Sequence, residues 1–458
     1  MAVWQLARKA FDTSLLLPVS LAQHTPTMDN CVLRLITRLK RVVGSGETVD
    51  MWRELGTMTL EVVGECAYGI DFHSVDDGRQ CSRQQQSLGK ELVEACRTSF
   101  KQASILEASR YVSLQLLLPS ALSPAVRWMA NAFPDARQTM NVQTRNHITA
   151  VSKTLIAGWR ASHPTGATHN LTDTSTKPSG NEADKSPSGV DSAPAAAMEG
   201  SAPPAGLKIS DRSFLNTLLA GPAPGTATAA AAAAAATAAT AAGKEARVMD
   251  DDAVAEQALV FILAGYETTA NTLAFAIYLL AVNPEAEARL ISEVDSFGRT
   301  RPITFSDLDQ FPYTDAVVKE SLRLHTPLGI TVRKATEELQ VLGKTIPRGS
   351  VLVFPAHTFH NSEEFWPRPT EFLPQRFLPE GQRELGPATA NAHMPFGIGA
   401  RMCPGYKFAQ QEAKISLVRL YQNFTFALAP GMPQAPRTVT GLTTGLADGV
   451  PVRVHSRV

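Results

Sequence analysis

From Asp250 to Val282 the chain is predominantly apolar, until Asn283-Pro284 stops the run. At 1.5 Å per residue such a stretch makes a helix of roughly 45 to 50 Å, long enough to cross a whole domain. Asp250, Asp251 and Asp252 suit the positive end of that helix and mark its start. Glu256, Glu267, Thr268, Thr269 and Asn271 lie along it, which favours burial in protein over a bilayer span. Any fold for this chain has to accommodate that rod.

The segments on either side differ in grammar. From Trp4 to about Ser162 the chain reads as helical, with apolar residues returning every three or four positions in Met28 to Val43 and in Trp52 to Tyr68. Between about His163 and Lys208 the composition turns to Ser, Pro, Thr, Gly and Ala, too poor in large apolar residues to offset the entropy of ordering. The apolar island Ser213 to Ala220 predicts a helical turn or two. Gly221 to Ala242, with its run Ala229 to Ala236, has helix propensity but nothing large to pack, which predicts a solvated linker. After the long helix, Pro284 to Asp295 and Pro312 to His325 read as further helices. Glu338 to Leu342 and Ser350 to Phe354 read as short strands around the turn Pro347-Arg348-Gly349. Arg401 to Phe424 is read as a helix and Val439 to Val454 as a terminal hairpin. The expected class is mainly α with a small β-sheet portion. Residues 1–162 form its first helical part, 163–249 a low-complexity insertion with a short helix near 213–220, and 250–458 the rest of the same domain.

Of 458 residues 44% are hydrophobic, enough for one large core or two ordinary ones. Lys plus Arg and Asp plus Glu both number 43, so no overall charge draws the chain to nucleic acid or anionic lipid. The five cysteines, Cys31, Cys66, Cys81, Cys96 and Cys403, fall in no paired spacing, as befits a reducing compartment. Before residue 20 only Leu15 to Val19 is apolar, neither a spanning helix nor a secretory signal, so no anchor is expected.

Chemistry concentrates in Phe396-Gly-Ile-Gly399-Ala-Arg401-Met-Cys403-Pro-Gly405. Five positions of this run match by chance with odds on the order of 10⁻⁴ in such a chain. The run resembles the haem-binding loop of the cytochrome P450 family. A thiolate ligand must stay ionised and shielded, yet push electron density onto iron. The resemblance gives Cys403 that task. Gly399 and Gly405 would let backbone N–H groups turn close to the sulfur, Phe396 would screen it from water, and Arg401 would pair with a haem propionate. The bland alternative is a Gly-rich turn with a buried, inert cysteine.

Two further runs fit the same family. Glu320-Ser-Leu-Arg323 places an acid and a base on one helix face. Alone this is common surface decoration. Family members hold the pair under the haem with an Arg from a later loop, which matches Arg376 in Phe372-Leu-Pro-Gln-Arg376-Phe377, so all three are expected to lock the haem loop structurally. Midway along the long helix, Ala264-Gly265-Tyr266-Glu267-Thr268-Thr269 sets two small residues before an acid and an alcohol. By resemblance Ala264 and Gly265 leave room for dioxygen over the haem, while Glu267 and Thr268 relay protons. A packing notch between helices would read the same way. Arg333 and the pair Trp4 and Arg8, one helical turn apart, fit a propionate clamp, with a solvated strand-end charge the alternative at Arg333. His357 and His360 lack a nearby third ligand and read as ordinary loop histidines; Cys31, Cys66, Cys81 and Cys96 read as small core or surface residues.

The resemblance covers nearly all the ordered segments from Trp4 onward. Within the family, the runs from Phe311 to Leu324, Pro395 to Gly399 and Val62 to Phe72 look most like plant carlactone oxidases, and more loosely like thromboxane synthase and drug-oxidising members. About a hundred residues that family chains carry before the Trp-x-x-x-Arg helix are missing, so a truncated N-terminus is expected. The resemblance implies a haem-thiolate monooxygenase with haem b on the Cys403 thiolate. It would take electrons from an NADPH-dependent reductase, use dioxygen, and act on an apolar terpenoid, carotenoid-derived or fatty-acid-like molecule. A monomer is expected, with no nucleic-acid partner. The cytosolic face of the endoplasmic reticulum membrane is the location implied for a full-length relative. A peroxide-rearranging haem-thiolate isomerase or lyase and a non-catalytic haem-binding remnant are the alternatives.

Overall fold

The computed structural model describes residues 8, 11–12, 16–79, 83–102, 110–111, 114, 122–162, 210, 213–220 and 250–457. Helices α1 (Pro18–Lys40), α2 (Met51–Val63), α3 (Arg83–Gln102), α4 (Ser123–Ala132) and α5 (Ala136–Ser162) come first, with strand β1 (Val49–Asp50) between α1 and α2. The short α6 (Phe214–Ala220) precedes the long α7 (Asp251–Val282), followed by α8 (Pro284–Phe297) and α9 (Pro312–Leu324). Strands β2 (Thr331–Lys334), β3 (Leu339–Val341), β4 (Lys344–Ile346) and β5 (Val351–Phe354) lead to α10 (Ala356–His360), α11 (Pro379–Ala392) and α12 (Tyr406–Asn423). Strands β6 (Phe424–Leu428), β7 (Thr438–Thr440), β8 (Thr444–Leu446) and β9 (Pro451–Ser456) close the chain.

Local chemistry sets the helix ends. Asp250 caps α7, its carboxylate accepting the Ala253 N–H at 2.7 Å. Proline opens α8, α9 and α11, where a missing N–H is harmless and the fixed φ suits the first turn. The α7 rod packs against α2, α5, α9 and α12 and forms the spine of one continuous apolar core. It is long and apolar enough to cross a membrane, yet 72% of its most apolar window is buried inside the protein, as its internal polar residues required.

The sequence reading gave the short strands no partners, and the structure supplies them. Residues 339–341 do not pair with 351–354 across the Pro347 turn. They fold onto Lys344–Ile346 over Leu342 and Gly343, which both take positive φ (50° and 74°) and close a two-residue hairpin. Strand β5 instead reaches back to β2, with Arg333 opposite Leu352. The expected terminal hairpin is likewise split. Strands β7 and β8 pair with each other, whereas β9 joins β6 and β1 in the order β1-β9-β6. Most of the low-complexity insertion, including the alanine run, lies outside the described residues. Its apolar island docks as α6: Phe214 packs on Phe11 and Phe261, with ring centroids at 4.4 and 5.2 Å.

Candidate active site

The loop before α12 turns on two glycines. Gly397 and Gly399 both take φ +73°, a region that a side chain resists, and the backbone doubles back so that the Cys403 N–H meets the Phe396 carbonyl at 2.8 Å. The Gly405 N–H donates to the Cys403 sulfur. Burial pushes the Cys403 thiol up, against the pull of that N–H and of the Arg8 guanidinium. Arg8 donates to the Met402 carbonyl at 2.6 Å and pairs with Asp12 at 2.7 Å. Phe396 is half-buried near Tyr406, while Ile398, Gly399, Ala400 and Arg401 lie exposed.

Beneath this loop sits a buried charge cluster. Arg323 makes a forked contact with Glu320, at 2.7 and 2.9 Å, and both are completely buried. Its remaining N–H groups reach the carbonyls of His360, Pro369 and Glu371, at 2.7 to 3.2 Å. Glu320 also accepts the Leu373 N–H at 2.9 Å and Arg376 at 3.3 Å, and Arg376 donates to the Arg368 carbonyl at 2.6 Å. The cluster extends to the cysteine loop through His360. That histidine is buried, not an ordinary loop residue as its sequence setting suggested, and its Nε2 accepts the Met394 N–H at 2.9 Å. Met394 in turn accepts from Gly397 at 3.0 Å. Burial depresses the His360 pKa to about 3, so it is neutral and free to accept.

The third group lies on α7. Ala264 is exposed midway along this helix, and Thr268 one turn on donates its hydroxyl to the Ala264 carbonyl at 2.6 Å. Gly265 corrects the sequence reading, since a Cβ there would stand 2.5 Å from the Val63 side chain of α2. It is a packing notch, so of the two small residues only Ala264 offers open space. Glu267 accepts from the Thr443 hydroxyl at 2.7 Å and from Asn271, yet desolvation raises its pKa to about 7. Phe261, one turn before Ala264, packs on Phe408, just after the cysteine loop, with ring centroids 6.3 Å apart. That contact joins α7 to the first turn of α12, the helix that follows the cysteine loop.

The remaining candidates fall elsewhere. Arg333 lies on β2 and donates to the carbonyl of its neighbour Val332 at 2.9 Å. Trp4 and Cys81 are outside the described residues. Cys31, Cys66 and Cys96 are buried. Cys31, Glu61 and Glu65 come close enough together for a metal, but Arg34 bonds both carboxylates and supplies the positive charge itself. Sequence reasoning missed Asn271, Thr443 and the role of His360. Asn271 stands one turn from Glu267 and was in reach of a periodicity argument, whereas nothing local marks Thr443.

Comparison with known proteins decides the family. The cytochrome P450 family model matches residues 1–184 and 226–446. The chain belongs to the cytochrome P450 family. Among relatives, thromboxane-A synthase of Macaca fascicularis is 36% identical over 218 residues, 47% of this chain and 40% of that protein. Cytochrome P450 3A13 of Mus musculus is 38% identical over 180 residues, 39% of this chain and 35% of that protein. The matched part thus spans less than half the length of each. The crystal structure of the cytochrome P450 CYP102L1 superposes with a TM-score of 0.67 at 20% identity, covering 99% of this chain and 79% of that one. This P450 therefore shares the mainly helical fold with small sheets that its sequence implied.

A P450 carries haem with a cysteine thiolate as axial ligand, and the residues of this chain fit that group. The Cys403 thiol is hard to ionise where it stands, so a positive metal at the sulfur would supply what Gly405 and Arg8 only begin. Among the described cysteines, Cys403 is the one that keeps part of its surface accessible. The exposed Ile398 and Ala264 offer apolar surface to a flat ring.

Proposed function

We propose that this P450 is a haem-thiolate monooxygenase that inserts one atom of dioxygen into an apolar small molecule of terpenoid, carotenoid-derived or fatty-acid-like character. The observation that carries the reading is the acid and alcohol pair, Glu267 and Thr268, beside the exposed Ala264 on the helix that packs against the start of α12, just after the cysteine loop. Haem bound through a thiolate supplies the electron density that lets the dioxygen bond cleave. Cys403 would hold it, oriented by the Gly405 and Phe396 backbone. Arg8, Arg333 and Arg401 are the cations for its propionates, Arg8 exchanging its present partner Asp12 for one of them. The Glu320, Arg323 and Arg376 cluster fixes the loop through the His360 and Met394 contact and takes no part in proton transfer. With its pKa raised to about 7, Glu267 can both hold and release a proton near neutral pH, matched to general acid work, and Thr268 presents a hydroxyl to pass it on. Electrons would come from an NADPH-dependent reductase, which with an apolar substrate suits the cytosolic face of the endoplasmic reticulum.

The match to thromboxane-A synthase favours one other reading, a haem-thiolate isomerase or lyase that needs no reductase. The acid beside the alcohol argues against it, because an internal rearrangement draws on no delivered proton. The deciding experiment is the reduced carbon monoxide difference spectrum of the purified chain, followed by reductase-dependent oxygen uptake with substrate. The thiolate Soret band should appear in the parent and vanish in Cys403→Ser, whose neutral hydroxyl cannot replace the ligand. A band unchanged by that substitution would overturn the assignment of Cys403, and turnover without a reductase would favour the isomerase.

A further inference from the structure

The partner that holds Glu267 comes from the far end of the chain. The hairpin of β7 and β8 places Thr443 at its tip, where the residue is buried against α7. Its hydroxyl donates to Glu267 Oε1 at 2.7 Å, and Asn271 Nδ2 lies 3.5 Å from the same hydroxyl oxygen. Asn271 is itself fixed, because Trp52 at the start of α2 donates its indole N–H to Asn271 Oδ1 at 2.6 Å. The hairpin tip and α7's own Asn271 therefore hold this carboxyl group, and α2 fixes Asn271 behind them. The tip has little room to drift: the Thr444 N–H bonds the Pro327 carbonyl at 2.7 Å, and a Cβ on Gly445 would meet Asn271 at 3.3 Å.

We propose that Thr443 is a positioning residue for the acid at 267: its hydroxyl donates to Oε1 and so biases the mobile proton toward Oε2. The proposal rests on the reading of Glu267 as a proton donor given above. A hydroxyl donates to an ionised carboxylate more strongly than to a neutral carboxyl, so Thr443 also opposes the desolvation that pushes Glu267 up to about 7. The nearby titratable groups on the packed elements are Cys96 and Arg97 of α3 and Tyr266 of α7. Burial pushes the Cys96 thiol and the Tyr266 phenol up to about 12, and Arg97 bonds Tyr266, so thiol and phenol remain uncharged where Glu267 titrates. Thr443 and Asn271 are the groups that bond Glu267 and lower it.

The test uses the haem-loaded chain. Infrared difference spectra against Glu267→Gln follow the protonated carboxyl stretch of residue 267 across pH. Thr443→Val keeps the shape at the tip and removes the donor. It should raise the midpoint by about one pH unit, a moderate loss for a hydrogen bond to a charged acceptor. Thr443→Ser should return the midpoint to the parent value, which a packing role for the threonine methyl would not do. If the valine variant fails to load haem, Thr443→Ala is measured against Thr443→Ser in its place. A midpoint that does not move on loss of the hydroxyl overturns the proposal. Product formed per electron consumed is then followed across pH in the same variants. If the midpoint shifts but this profile stays where it was, the grip of Thr443 on Glu267 stands, and the reading of Glu267 as proton donor falls.

Discussion

Thr268 separates oxygen activation from simple haem binding. Its hydroxyl is held by the Ala264 carbonyl on an exposed stretch of helix, where it supports no buried neighbour through a hydrogen bond of its own. Thr268→Ala is therefore expected to keep haem content and the carbon monoxide spectrum, while product formation falls by roughly 10²-fold and more reducing equivalents leave as hydrogen peroxide. Product per electron is the measurement; equal coupling in variant and parent would reduce Thr268 to a packing residue. Gly265, three residues earlier, has the opposite character. Its missing side chain is what lets Val63 approach, and a β-branched valine has little freedom to move aside. Gly265→Ala should destabilise the fold by about 1 to 3 kcal/mol through overpacking. Adding Val63→Ala should recover part of that loss in melting temperature.

At the scale of elements, the Glu320 cluster ties α9 to the segment that leads into the cysteine loop. Removing one partner leaves charge buried without its counter-ion, at a cost of roughly 3 to 5 kcal/mol. Glu320→Ala and Arg323→Ala should each lower the melting temperature and the haem content together, since Arg323 bonds the His360 carbonyl and His360 bonds the loop at Met394. Full haem content and an unchanged melting temperature in either variant would detach the cluster from the loop. The hairpin of β7 and β8 works on the other side of α7. It reaches Glu267 because its neighbouring strands are pinned elsewhere, β9 between β6 and β1, with the Asp50 carboxylate accepting the Val450 N–H at 2.9 Å.

The whole molecule should be acid-sensitive. Burial depresses His325 to about 4 and both His360 and His393 to about 3, whereas an unfolded histidine titrates near 6.5. As pH falls below 6.5 the unfolded chain takes up protons that the folded chain refuses. The stability these neutral rings contribute is therefore complete above that pH and is lost progressively toward pH 3 to 4. Each ring within its window contributes a slope of up to about 1.4 kcal/mol per pH unit. Melting temperature should fall between pH 7 and pH 5, and His325→Phe, which preserves the stack on Phe275 (centroids 4.3 Å apart), should shallow that fall. A flat profile in the parent would show that the rings are reached by water.

Features that belong to a single element could be read from the sequence. The cap at Asp250, the apolar run to Val282 and the proline starts follow from backbone chemistry within a few residues. The spacing of Glu320 and Arg323 puts both on one helix face, and the glycines around Cys403 act within one loop. What the sequence could not decide was which distant groups meet. Nothing in the run Ala264-Gly265 says that one residue faces open space and the other Val63. Strand pairing went to the nearer turn at Leu342-Gly343, leaving β5 for β2, and only the assembled sheet chose between those registers. Arg323 finds its carbonyls at His360, Pro369 and Glu371, and Glu267 finds its donor at Thr443, because burial in a close-packed core forces each polar group to take a partner that the fold brings within reach. Periodicity is a property of one segment, and partner choice is a property of the packed whole.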